Sequence, residues 1–158
     1  DEAYSITEND HSDSYGRECL TELTKALEDY REDLVVIVAG YTEPMKQFFE
    51  SNPGLKSRFN TFIEFDDYKV SELIDILKSI SKAEDYVISE RVLSFLSCQL
   101  TQVIHCKDNS FANGRYIRNI FETMIMNHSR RVVKIESPST DDLKMIKIED
   151  VPEILVKF

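Results

Sequence analysis

Leu34-Val35-Val36-Ile37-Val38-Ala39, running into Gly40-Tyr41-Thr42-Glu43-Pro44, is a continuous apolar and largely β-branched run closed by a chain-breaking cluster. A strand with one solvated face alternates apolar and polar residues, whereas a strand covered on both faces has no polar positions. The run therefore predicts a strand buried on both faces in a parallel sheet. Immediately before it, Leu20, Leu23, Ala26, Leu27 and Tyr30 recur at helical spacing and predict an amphipathic helix from about Tyr15 to Arg31. A helix feeding directly into a central strand indicates an α/β domain.

Downstream, Met45, Phe48 and Phe49 predict a short amphipathic helix closed by Ser51-Asn52-Pro53-Gly54, and Thr61 to Phe65 a second strand leading into Asp66-Asp67. Beyond that point the pattern turns to helices alone: Val70 to Ala83, Ser89 to about Cys106, and Asn113 to Arg131, with Ser71 and Ser89 expected as N-caps, Asn113 as the cap of the last of them and Gly114 as a point of close backbone approach. Ser137-Pro138-Ser139-Thr140 reads as a turn. Ile148 to Pro152 is expected to open a last short helix with Pro152 in its first turn. Upstream, the polar Ser5 to Ser14 is expected to be a mobile loop. The domain boundary falls near Asp66, separating residues 1–65 from residues 66–158.

Composition narrows the function classes. The 158 residues include 42% hydrophobic residues, enough for a packed core. A formal charge of −10, from 29 acidic and 19 basic residues, repels a phosphate backbone and argues against nucleic-acid binding. Cys19, Cys98 and Cys106 are odd in number and have no Cys-x-x-Cys spacing, which predicts reduced thiols in a cytoplasmic setting. No apolar run reaches the roughly 18 residues of a membrane span, and the acidic N-terminus is unlike a signal peptide. No membrane association is expected.

Chemistry concentrates in a few places. Asp1-Glu2 is an adjacent carboxylate pair of the kind that, at a strand tip, holds Mg²⁺ with one acid and a water with the next; taken alone it reads as a solvated surface pair. Arg58, in Gly54-Leu55-Lys56-Ser57-Arg58-Phe59, and Arg115, in Asn113-Gly114-Arg115-Tyr116, suit phosphate oxygens. The sequence contains no Gly-x-x-x-x-Gly-Lys-Ser/Thr loop. Cys98, His105 and Cys106 lie close in sequence but out of phase on a helix, so buried thiols and a helix-end histidine are expected there in place of a metal site. His11 and His128 are expected to be ordinary.

Asp1-Glu2-Ala3-Tyr4, Ala26 through Tyr41, Ser51-Asn52-Pro53-Gly54-Leu55 and Phe111 through Asn119, in this order and spacing, resemble the AAA+ ATPases. Within them the likeness is to the CbxX/CfqX branch, which includes red-type Rubisco activases, the sporulation protein SpoVK and the ATPases of type VII secretion. The resemblance implies that residues 1–65 are the C-terminal half of a parallel-sheet nucleotide-binding α/β domain and residues 66–158 an all-α lid bundle. It implies ATP and Mg²⁺ as cofactors and a homo-oligomeric ring, a hexamer in that family, that remodels a protein substrate the sequence does not identify.

By the same resemblance, Asp1 and Glu2 look like the end of a Walker B motif, Asp1 holding Mg²⁺ and Glu2 deprotonating water. Tyr41 or Thr42 matches the sensor-1 position, Thr42 through its hydroxyl and Tyr41 alternatively as a packing residue. Arg58 matches the arginine finger offered to a neighbouring subunit, against the plainer reading of a surface arginine paired with an acid. Arg115 matches sensor 2, and Arg118, one turn on, either shares that role or pairs with Glu122. The loop Ser5 to Ser14 is a pore-lining candidate or a plain surface loop. Without a phosphate-binding loop the 158 residues alone are expected to be inactive. The rival reading is a non-catalytic protein-interaction module derived from an AAA+ domain; a nucleic-acid role ranks third.

Overall fold

A computed structural model describes residues 1–7, 14–106 and 111–153, and the chain divides into two compact units, Asp1–Phe65 and Asp66–Phe158. The fold is mostly helical with a small two-stranded parallel sheet. His11 and most of the expected Ser5 to Ser14 loop lie outside the described residues.

In the first unit a 3-10 turn, Ala3–Ile6, precedes α1, Ser14–Asp29; α2 spans Thr42–Ser51 and α3 Pro53–Lys56. The 3-10 turn, anchored by the buried Tyr4, begins before the segment read as a loop and takes in its first two residues, Ser5 and Ile6. Tyr4, Leu20, Phe48, Phe49 and Leu55 form the core, with Leu23, Leu27, Val38, Met45 and Phe59 against it. Phe48 and Phe49 meet edge to face at 5.2 Å, and Phe49 also meets Phe59 at 5.4 Å. Helix α2 stops where Pro53 follows: the Asn52 Nδ2 donates to the Phe48 carbonyl at 3.0 Å, and Pro53 opens α3, where its missing N–H is no loss.

Two strand expectations are corrected here. Leu34 to Ala39 forms no strand among the described residues; Val35 and Ile37 are 84% and 87% exposed, the Leu34 N–H turns back to the Tyr30 carbonyl at 2.8 Å, and the Ala39 carbonyl accepts the Ala3 N–H at 3.1 Å. Thr61 to Phe65 is likewise unpaired, with Phe65 91% exposed. A strand is made by its neighbours, and none of the described residues supplies a ladder for either run. Helix α1 ends at Asp29, short of Arg31, and Tyr30 is exposed.

In the second unit α4, Val70–Ala83, packs against α5, Glu90–Cys106, and α6, Asn113–Val132. Leu73, Leu77, Val92, Leu96, Leu100, Ile117, Phe121 and Met124 fill the centre. The unit is not helical throughout: β1, Val87–Ile88, pairs in parallel with β2, Met145–Ile146, which follows α7, Thr140–Lys144. Strands of two residues leave too short a pattern to read in sequence.

Helix α4 is capped at Lys69, not Ser71, because the Glu72 carboxylate takes the Lys69 N–H at 2.7 Å. Ser89 does sit at the start of α5, its carbonyl accepting the Val92 N–H at 2.9 Å. The last turn, Ile148–Asp150, is 3-10, and Pro152 lies after it, not in its first turn.

This turn carries a buried ion pair. Arg131 donates from Nε to Asp150 Oδ1 at 2.8 Å and from Nη2 to Oδ2 at 2.9 Å, while Nη2 also reaches the Met145 carbonyl at 3.0 Å. Asp150 is fully buried and accepts the Lys147 N–H at 2.8 Å; the Asn127 amide donates to its carbonyl at 3.1 Å. Burial pushes the Asp150 carboxyl up, but the Arg131 guanidinium and the Lys147 N–H outweigh it and hold it below the usual 3.8. Beside this pair, the buried His128 places Nε2 at 2.9 Å from the Asp142 carbonyl and meets Tyr86 edge-on.

Candidate functional site

The first cluster lies in the Asp1–Phe65 unit. Asp1 and Glu2 are both exposed, the Glu2 N–H donating to Asp1 Oδ1 at 3.0 Å, and Glu2 takes a left-handed backbone with φ of 50°. The bond from the Ala3 N–H to the Ala39 carbonyl ties the residue after this acid pair to the one before Gly40-Tyr41-Thr42, 36 positions away in sequence. Gly40 is required by that approach: a Cβ there would lie 2.6 Å from Tyr4 Cε1 and 2.9 Å from Met45 Sδ. Tyr41 precedes α2 and Thr42 opens it; Tyr41 is 65% exposed, and Thr42 is exposed at the helix start.

Arg58 follows α3. Its Nη1 donates to the Gly54 carbonyl at 2.7 Å, and its Nη2 stands 3.4 Å from Glu28 Oε2 on α1. The side chains are 30% and 58% exposed, so the ion pair contributes roughly 0–1 kcal/mol. Thr21, Thr24, Lys25 and Asp29 complete a shallow depression around it. The surface-pair alternative for Arg58 is thus a real contact, and one weak enough for a stronger anion to displace.

The second cluster lies in the Asp66–Phe158 unit. Arg115 and Arg118 stand on the exposed side of α6, and Ile117, Ile120, Phe121 and Met124 on its buried side. Neither arginine has an ion pair or side-chain hydrogen bond among the described residues, and the alternative pairing of Arg118 with Glu122 is not made. Burial pushes the neighbouring Tyr116 phenol up, and its ring lies 5.4 Å from that of Phe111.

The expected cap of α6 is corrected. Ala112 takes the cap position, and its carbonyl accepts the Arg115 N–H at 3.0 Å. Asn113 instead sits at φ 47° and turns its amide away from the helix: Oδ1 accepts the Tyr68 N–H at 3.0 Å and Nδ2 donates to Asp67 Oδ1. Gly114 serves no close approach, since a Cβ there would rest at an ordinary 3.8 Å from Tyr68.

The three cysteines are exposed, against the expectation of buried thiols, because Cys98 and Cys106 fall outside the stripe of Val92, Leu96 and Leu100. No group of three or more metal-ligating side chains occurs among the described residues. None of the described helices is long and apolar enough to cross a membrane. The Arg131–Asp150 pair and the Asn113 contacts were not foreseen; their partners lie 19 and 45 or 46 residues apart, with no periodicity to connect them.

A helical bundle preceded by part of a nucleotide-binding domain is matched by the AAA lid domain family over residues 69–156, which makes the chain an AAA+ protein. It is 36% identical over 151 residues to the protein CfxQ homolog of Trieres chinensis, covering 94% of this chain and 50% of that one. It is 34% identical to the stage V sporulation protein K of Bacillus subtilis (strain 168), covering 96% and 47%. Against the protein CbbX of Cereibacter sphaeroides it is 34% identical, covering 89% and 45%. The chain belongs to the CbxX/SpoVK-like family of AAA+ ATPases. It spans about half the length of these curated relatives.

Proposed function

We propose that this chain is the portion of a Mg²⁺-dependent AAA+ ATPase running from the metal- and water-holding carboxylates to the end of the lid, and that the whole protein couples ATP hydrolysis to remodelling of a protein substrate within a homo-oligomeric ring. The observation that supports this reading is the Ala3 N–H to Ala39 carbonyl bond, which ties the residue after Glu2 to the segment that leads into Tyr41 and Thr42.

The donor set fits the metal. Mg²⁺ keeps most of its waters and binds through one or two carboxylates plus substrate phosphates, so a lone exposed Asp1 suffices where a cage of three acids would not be expected. When bound, the ion neutralises charge building on the phosphates. Glu2 accepts a proton from the attacking water, and Thr42 offers a hydroxyl to hold that water or a phosphate oxygen, with Tyr41 the alternative donor. Arg58 leaves Glu28 and presents its planar donors to the nucleotide of a neighbouring subunit. Arg115, with Arg118 beside it, contacts the nucleotide from the lid. The 158 residues by themselves, lacking a phosphate-binding loop sequence, are assigned no turnover.

The test uses a protein with a complete nucleotide-binding domain. Arg58→Ala should bind ATP yet lose hydrolysis by about 10³ to 10⁵, and Glu2→Gln should bind ATP and Mg²⁺ without turning over. Mixing the two inactive variants should restore part of the activity, because some interfaces then join an intact site to an intact arginine. Absence of recovery, with both variants assembled, refutes a shared site; normal turnover in both singles removes Glu2 and Arg58 from the mechanism, and no turnover with both residues intact supports the non-catalytic interaction module instead.

A further inference from the structure

We infer that Asn113 is a positioning residue that clamps the Asp67–Tyr68 segment to the first turn of α6 and thereby sets the direction in which Arg115 points; the inference rests on the nucleotide role proposed for Arg115. Asn113 occupies a left-handed backbone, φ 47°, which Asn tolerates better than most residues with a side chain. That conformation directs the amide out of the helix. Its two halves are used separately, Oδ1 taking the Tyr68 N–H at 3.0 Å and Nδ2 giving to Asp67 Oδ1. Both partners lie just past the boundary at Phe65 and Asp66, where the chain enters the helical unit. Arg115 is two residues on, its N–H tied to the Ala112 carbonyl at 3.0 Å. The entry segment and the base of Arg115 are thus joined by a single planar side chain.

This geometry has a thermodynamic consequence. If nucleotide held by Arg115 tightens the clamp by some factor, the clamp must tighten nucleotide binding by the same factor, because the coupling is reciprocal. The N-cap that Asn would ordinarily provide is left unused at this helix, and two hydrogen bonds are directed into the entry segment.

Asn113→Gly tests the clamp, since glycine accepts the positive φ and removes only the amide. In the present chain, hydrogen exchange at the Tyr68 amide should quicken by about five- to tenfold, the net contribution of one or two such bonds. In the protein with a complete nucleotide-binding domain, ATP affinity should weaken by a similar factor. Adding Asn113→Gly to Arg115→Ala should then cost no further affinity, because Asn113 acts through that arginine. Asn113→Asp, which keeps the acceptor for Tyr68 but sets a second carboxylate against Asp67, should also weaken ATP binding.

Unchanged Tyr68 exchange overturns the clamp whatever Arg115 does. Additive losses in the double variant overturn the positioning role while leaving Arg115 as a nucleotide contact. Normal ATP binding in Arg115→Ala overturns the assignment of Arg115, and the inference with it, even where Tyr68 exchange responds.

Discussion

Replacing Asp150 with Asn removes the negative charge that Arg131 grips through both Nε and Nη2, at 2.8 and 2.9 Å, in a place where the aspartate has no exposed surface. The variant side chain is the same size, but its amide nitrogen points a donor at a guanidinium that has only donors. Breaking one partner of a buried pair costs about 3–5 kcal/mol. The lower end, about 3 kcal/mol, applies here because the Arg131 side chain is 16% exposed and keeps the Met145 carbonyl and Glu149, 3.6 Å away. For a unit of this size each kcal/mol moves the midpoint by roughly 4–8 °C, so thermal unfolding followed by circular dichroism should show a loss of roughly 10–25 °C at neutral pH. Acid sharpens the test. The folded carboxyl sits below the usual 3.8, so its contribution is fully present above that value and disappears as pH falls through the folded value. The gap between wild type and variant should therefore close in strong acid, where Asp150 is protonated in both states. Glu149→Gln, which alters only the exposed partner, should cost no more than about 1 kcal/mol. Equal midpoints for the Asp150 and Glu149 variants, or a gap that persists in acid, would refute the reasoning.

The other expectations concern the two clusters. Arg115→Ala should leave the unfolding midpoint of the helical unit within about 1 kcal/mol of wild type, since the side chain is exposed. The same variant of a protein with a complete nucleotide-binding domain should bind ATP more weakly or hydrolyse it more slowly; unchanged binding and turnover would make Arg115 a surface residue. Gly40→Ala should destabilise the Asp1–Phe65 unit by about 1–3 kcal/mol, because the new Cβ meets the buried Tyr4 ring at 2.6 Å. Denaturant unfolding measures it, and a shift below about 0.5 kcal/mol would show that Tyr4 does not pack there.

The helices were legible because burial repeats with the helical period: Leu73, Leu77, Val92, Leu96, Ile117, Phe121 and Met124 announce their inward faces in the order of the chain, and all are buried. The order of short motifs likewise marks the family in the sequence itself, since each motif is local. Leu34 to Ala39 marks the limit of that reading. Its β-branched composition states what a strand would need on its two faces, but pairing depends on neighbours, and the described residues offer it one bond from Ala3.

What the sequence determined by itself, then, is everything set by local spacing: the amphipathic faces, the breaks at Pro53 and near Asp66, and the positions of the acid pair and the arginines. Only the tertiary structure decided which partners those residues meet. Asn113 reads as a helix cap and holds Asp67 and Tyr68 instead; Arg131 reads as a helix-end cation and closes the unit through Asp150; Arg58 rests against Glu28. Hydrogen bonds and ion pairs act over a few ångströms of space irrespective of separation along the chain, so no periodicity records them, whereas the hydrophobic faces of a helix are written at fixed intervals by its own geometry.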